Sequence, residues 1–139
     1  MRSPRLIPIP LILAAALAGC SATQSTTTVP AHTTRAEQAI GDVVANLASD
    51  VSGNDPTKIC SEILAKPLVS ELNKHGGCGN DLATQVGTIN VYTLTVTKYT
   101  VSGTHATALV SSTYSGKTRT MTLQFVKQAK GGWRISGIG

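Results

Sequence analysis

Thr118-Arg119-Thr120-Met121-Thr122-Leu123-Gln124-Phe125-Val126-Lys127 decides the fold class. Arg119, Met121, Leu123 and Phe125 fall on one side of an extended chain, and Thr118, Thr120, Thr122 and Gln124 on the other. Side chains of a strand alternate between faces, so this pattern predicts a strand with one packed and one wet face. Ser115-Gly116 before it and Gly131-Gly132 after it are turn signals. They predict partners at 106–114 and 133–138, and Ser102-Gly103 predicts a further strand over 89–101, rich in Thr, Val and Tyr. Connections this short join antiparallel neighbours, so the C-terminal half is expected to be a meander.

Upstream the period changes. Thr34 with Glu37 three residues later is a capping-box signal. Ala36, Ala39, Ile40, Val43, Val44 and Leu47 then recur at helical spacing, with Glu37, Asp42 and Asn46 elsewhere, which predicts a helix over 35–49 stopped by Ser52-Gly53-Asn54. Asp55-Pro56 starts a second helix, with Ile59, Cys60, Ile63 and Leu64 facing inward. Pro67 starts a third, carrying Leu68, Val69 and Leu72 and ending at Gly76-Gly77. Asn80 or Asp81 caps a short last helix with Leu82 and Val86. Helices followed by a meander make the class α+β.

Residues 1–19 stand apart from this fold. Arg2 and Arg5 precede an apolar run from Leu6 to Leu17 that contains Pro8 and Pro10, and Leu17-Ala18-Gly19-Cys20 closes it. That is the layout of an export signal. A spanning helix needs about 20 apolar residues, and this run has twelve. Leu17-Ala18-Gly19-Cys20 resembles the lipobox of bacterial lipoproteins. The resemblance implies that the Cys20 thiol takes a diacylglyceryl group and becomes the mature N-terminus. The lipid bilayer is then the partner of Cys20, and the chain lies on the extracytoplasmic side of the cell membrane. Two acyl chains anchor stably where one binds marginally. Residues 20–33, with five Thr and Pro30 and no apolar pattern, read as a disordered tether, leaving 34–139 as one domain.

Two cysteines remain, Cys60 and Cys78. An even pair in an exported domain favours a disulfide. A metal site is the rival, but only His75 lies between them, and His32 and His105 fall on the tether and in a turn. No metal or other cofactor is expected.

The sequence carries twelve Lys/Arg and seven acids. Without Arg2 and Arg5 ten Lys/Arg remain, so the net charge is +3. With one Trp, one Phe and three Tyr, the chain lacks the stacking aromatics and strong positive charge of a nucleic-acid binder. All seven acids lie in 34–81, and 82–139 holds six Lys/Arg and no acid. Lys98, Lys117, Arg119, Lys127, Lys130 and Arg134 thus make the sheet half a candidate for docking on an anionic membrane surface or an envelope protein, or simply a solvated face.

Helices, then a meander ending in Gly131-Gly132-Trp133-Arg134-Ile135, resemble the NTF2-like (cone-shaped α+β) superfamily over residues 34–139. The chain is also similar to small actinobacterial lipoproteins of that superfamily with paired cysteines in the helical part. The resemblance implies a sheet wrapped around the first helix with a pocket at the open end. Tyr92, Leu94, Met121, Phe125 and Trp133, with Val96 and Leu123, are the residues to line it, and the same stripe serves equally as ordinary core. Superfamily enzymes use Asp, His and Tyr in that pocket, but the sheet here has no carboxylate. Asp42, Tyr92, Tyr99, His105 and Tyr114 are the titratable candidates, and no Ser-x-x-Lys or Gly-x-Ser-x-Gly nucleophile signal occurs. The expected function is therefore a non-enzymatic binding or protein-interaction module of the cell envelope. The alternative is a carrier of a lipid-like ligand, or an enzyme, using the cone.

Overall fold

The computed structural model describes residues 34–86 and 93–139. Leu17-Ala18-Gly19-Cys20, the export signal, the tether, Tyr92 and the first residues of the expected 89–101 strand lie outside the described residues. Four helical elements precede a four-stranded antiparallel sheet of order β1-β2-β3-β4, so the class is α+β. The strands are β1 (Thr93–Ser102), β2 (His105–Tyr114), β3 (Lys117–Lys127) and β4 (Trp133–Ile138).

Helix α1 (Arg35–Ser52) begins with the expected reciprocal cap. The Glu37 N–H donates to Thr34 Oγ1 at 3.3 Å, and the Thr34 N–H donates to Glu37 Oε2 at 2.6 Å. The helix runs one turn beyond 49 because its apolar stripe continues: Ile40, Val44, Ala48 and Val51 are all buried. It ends at Gly53, whose N–H donates to Ser49 O, with Asn54 in the left-handed region at φ 52°.

The second helical element is not a uniform α-helix. Asp55 caps α2 (Pro56–Lys58), its side chain accepting from the Lys58 N–H. The chain then widens into a π turn over Ile59–Ile63, closed by the Leu64 N–H on Ile59 O at 3.0 Å. Ile59, Ile63 and Leu64 are buried by it. Helix α3 (Lys66–Lys74) follows, and Leu68, Val69 and Leu72 are packed on the core while partly exposed. Gly76 and Gly77, both at positive φ (125° and 100°), reverse the chain. Such backbone favours glycine. Helix α4 (Cys78–Val86) starts there, earlier than an Asn80 or Asp81 cap implies. The Asn73 side chain takes the Cys78 N–H at 2.9 Å, and Gly77 O accepts the first helical bond from Asp81.

The sheet has one inner face, and a bulge is needed to keep it so. Leu94 and Val96 of β1 are buried opposite Ser112 and Val110. The register then shifts at Thr97, so Tyr99 and Val101 continue that face opposite Ala108 and Ala106. An extra residue switches the alternation from even to odd positions. A second shift on β4 leaves Ser136 unpaired between Ile135, opposite Phe125, and Gly137, opposite Gln124. Ala106, Ala108, Val110, Leu123, Phe125, Trp133 and Ile135 complete the buried face. Helix α1 lies mainly across β1 and also reaches β4.

The free edge of β4 is covered. Leu64 pairs with Ile135 in parallel, and the Ala65 N–H donates to Ile135 O at 2.8 Å. An exposed edge invites pairing with other chains, and this bridge occupies it locally.

Phe125 is 1% exposed and Leu109, on the outer face, is 38% exposed. Phe125→Ala is expected to cost about 3–5 kcal/mol, whereas Leu109→Ala stays within about 1 kcal/mol. Urea unfolding of the two variants measures the contrast, and equal losses would contradict this assignment of faces.

Candidate functional site

Of the residues offered as pocket lining, Leu94, Phe125 and Trp133 sit in the core, and Tyr92 lies outside the described residues. Leu94 and Phe125 are 1% exposed and Trp133 is 6% exposed, all three in one apolar cluster with Ile40 and Val44 of α1. Met121 is half-buried against the same cluster. Phe125 and Trp133 border different concavities. Phe125 edges a small one of about 210 Å³ near His105 and Gln124, and Trp133 edges one of about 620 Å³ beside α1.

Three of the titratable candidates, Asp42, Tyr99 and His105, have side chains among the described residues, and no hydrogen bond joins them there. Asp42 is exposed on α1, and His105 is exposed at the start of β2, its Nδ1 3.3 Å from Thr104 Oγ1. Tyr99 is half-buried with its hydroxyl unpartnered among the described residues. Burial raises its phenol above the ordinary value, and the charges of Glu37 and Asp42 push the same way. Among the described residues no three His, Cys, Asp or Glu side chains gather as a metal site would require.

The larger concavities flank the turn between β3 and β4. One, of about 610 Å³, opens between that turn and the π-turn/α3 segment, with Lys66, Lys130 and Arg134 on its walls beside Ser61, Ser70 and Gln128. The 620 Å³ concavity lies on the other side of the turn, between it and the first turns of α1, with Arg35 and Lys127 beside Trp133. Gly131 borders both. Five of the ten Lys/Arg in the described residues border these two spaces and none of the seven acids does. The cationic end was not visible as such in the sequence, because Arg35 and Lys66 belong to the acidic half of the chain and reach the turn only through folding.

Arg134 differs from the other four. Its Nη1 donates to Ser61 O at 2.5 Å and to Leu64 O at 3.5 Å. These are carbonyls from the end of the π turn, where helical backbone leaves acceptors unpaired. Arg134 therefore fastens the helical layer to β4 and is not a free surface charge. An ionic tie lies at the C-terminal end of α1. Asp50 is 5% exposed, and its Oδ1 takes the Lys58 ammonium at 2.9 Å. The hydrogen bond and then the charge of Asp50 raise the Lys58 pKa above its ordinary value. The last turn of α1 has no cation of its own, and Lys58 supplies one near its negative end.

Cys60 and Cys78 form a disulfide, with Cα atoms 6.2 Å apart. It joins the π turn to the first residue of α4.

Comparison of the chain with protein-family models, with curated proteins and with solved structures finds no match. Among the described residues no helix is long and apolar enough to cross a membrane.

Two outcomes follow from these ties. The 18-residue separation of the cysteines corresponds on the chain-entropy model to about 3 kcal/mol, so reduction is expected to lower the thermal midpoint by several degrees. An unchanged midpoint in reductant would deny the bridge that role. Arg134→Gln is expected to cost about 1–2 kcal/mol in urea unfolding, where Lys130→Gln costs almost nothing; equal effects would make Arg134 an ordinary surface residue.

Proposed function

We propose that this chain is a membrane-anchored extracytoplasmic lipoprotein whose NTF2-like domain binds a partner of the cell envelope and catalyses no reaction. One observation carries the non-catalytic part. Leu94, Phe125 and Trp133, where such a fold would hold a substrate, are at most 6% exposed and belong to one apolar cluster with Ile40 and Val44 of α1. A binding pocket needs concave volume with a few convergent polar groups. Asp42 and His105 are exposed, the Tyr99 hydroxyl has no hydrogen-bond partner among the described residues, and the larger concavities are on the surface, beside the β3–β4 turn. The anchoring part rests on Leu17-Ala18-Gly19-Cys20 and the tether-like composition of 20–33. The envelope compartment accords with the Cys60–Cys78 disulfide, because such bonds persist in oxidising surroundings.

A second reading, a carrier of a lipid-like ligand, has one feature in its favour. Ile138 shares the inner face opposite Leu123 yet is 65% exposed, and Met121 beside it is only partly covered. Mass spectrometry of the native protein under non-denaturing conditions separates the two, since a co-purifying lipid favours the carrier.

The anchor is tested by Cys20→Ala. The variant is expected to leave the membrane fraction after a high-salt wash that retains the unaltered protein, as measured by fractionation and immunoblotting. Retention of the variant would overturn the lipid anchor. An acyl adduct on Cys20 in the mass of the native protein is the positive counterpart.

A further inference from the structure

We infer that the end of the domain built around the β3–β4 turn is a docking face for the anionic phospholipid headgroups of the membrane that carries the anchor. Its location rests on the anchoring reading above; its chemistry does not. Arg35, Lys66, Lys127 and Lys130 are exposed there and have no ion-pair partner among the described residues. Neighbouring acids are otherwise engaged or set back. Glu37 caps α1 through the Thr34 N–H, Glu71 pairs with Lys74 and His75, and Glu62 borders neither concavity.

The chain itself indicates which way this end faces. Thr34 is the last residue before α1, adjoining Arg35 on the wall of the 620 Å³ concavity. Cys20 lies fourteen positions upstream. A chain of that length reaches about 50 Å when fully extended, and as a flexible coil it spans about 20 Å. An anchored domain is therefore held by its cationic end at short range from the headgroups. Screening at physiological salt decays over about 8 Å, so contact, not distant steering, is what the charges would stabilise.

The remaining cations lie elsewhere. Lys117 opens β3 and Lys127 closes it, at the two ends of an 11-residue strand, or about 33 Å apart. Lys98 is on β1 at the other edge of the sheet, and Arg119 lies one residue beyond Thr118 near the Lys117 end. A bilayer touching the β3–β4 turn would be several screening lengths from Lys117. The set read from sequence as one basic sheet thus divides into a docking pair, Lys127 and Lys130, a structural Arg134, and three distant charges.

The test uses the chain from residue 20 onward, which holds every described residue, with Cys20→Ala so that no lipid contributes. Sedimentation is measured with vesicles of phosphatidylcholine alone and with vesicles also containing phosphatidylglycerol. Binding only to the anionic vesicles, lost at high salt, is expected. Each basic side chain at an anionic surface contributes about fivefold in partitioning, so Lys66→Gln, Lys127→Gln and Lys130→Gln together are expected to weaken binding on the order of 100-fold. The matched triple Lys98→Gln, Lys117→Gln and Arg119→Gln removes the same charge and is expected to change it less than about threefold. Equal losses from the two triples would overturn the docking face in favour of net charge alone. No binding to anionic vesicles by the folded chain would overturn it outright. Release by inorganic phosphate at constant ionic strength would replace it with a discrete anion site. Since the chain is unlipidated, these failures are separate from failure of the anchor, which the fractionation of Cys20→Ala detects.

Discussion

The apolar stripe of α1 and the single apolar face of the sheet are buried in one cluster, which the π turn completes with Ile59 and Ile63. Ile40 and Val44 are fully inaccessible beneath a sheet whose innermost side chains, Ala108, Val110 and Ile135, are equally so. At about 25 cal/mol per Å², removing such surface from water is the chief term favouring the fold, and it fixes where everything else goes. The β1 bulge follows from this demand. Leu94 and Val96 start the inner face on even positions, while Tyr99 and Val101 hold its next apolar places on odd ones. Without the extra residue at Thr97, Lys98 would point at the helix.

Of the smaller helical elements, the π turn buries Ile59 and Ile63, whereas α2, one turn long, and α3 bury no residue fully. Their position is set by three ties that act at different points: the Cys60–Cys78 bond, the Ala65–Ile135 backbone bond, and Arg134 on the carbonyls of Ser61 and Leu64. All three converge on the segment from Ile59 to Ala65. The π turn is the piece they fix, and its widened backbone offers Ser61 O and Leu64 O toward β4. Arg134 and Ala65 then tie the helical layer to the sheet from both partners.

The strands, the α1 cap and the helix starts at Pro56 and Pro67 were legible because each is a local pattern: a period, a box, a proline. The cysteine pairing was read from the count of two beyond Cys20 together with an expected export, and the Cys60–Cys78 bond is present. Three things were not. Helix α1 ends at the expected stop, Ser52-Gly53-Asn54, but the expected helix over 35–49 omits its last turn, where Val51 continues the stripe and Asp50 is buried against Lys58 of the next element. The π turn has no sequence period that distinguishes it from an α-helix. The role of Arg134 depends on which carbonyls face it across a separation of 73 residues, and nothing local announces that. Leu94, Phe125 and Trp133 illustrate a more general limit, since pocket lining and core obey the same alternation until the packing is seen.

The charge division between the two halves of the chain takes on a different meaning in three dimensions. In sequence, acids belong to the helices and cations to the strands. In space, cations from both halves meet at one end, where no acid lines either concavity; Glu37 serves a cap and Glu71 an ion pair. Such clustering costs stability through mutual repulsion, and a fold stabilised by burial elsewhere has no structural use for Lys66, Lys127 and Lys130, which have no ion-pair partner among the described residues. Repulsion of this kind is relieved by an anionic surface held near it. The proposed anchor at Cys20, fourteen positions before Thr34 and next to Arg35 through it, would hold such a surface there, so the two proposals support each other: the anchor would supply the anionic surface, and that surface would offset the repulsion at the cationic end.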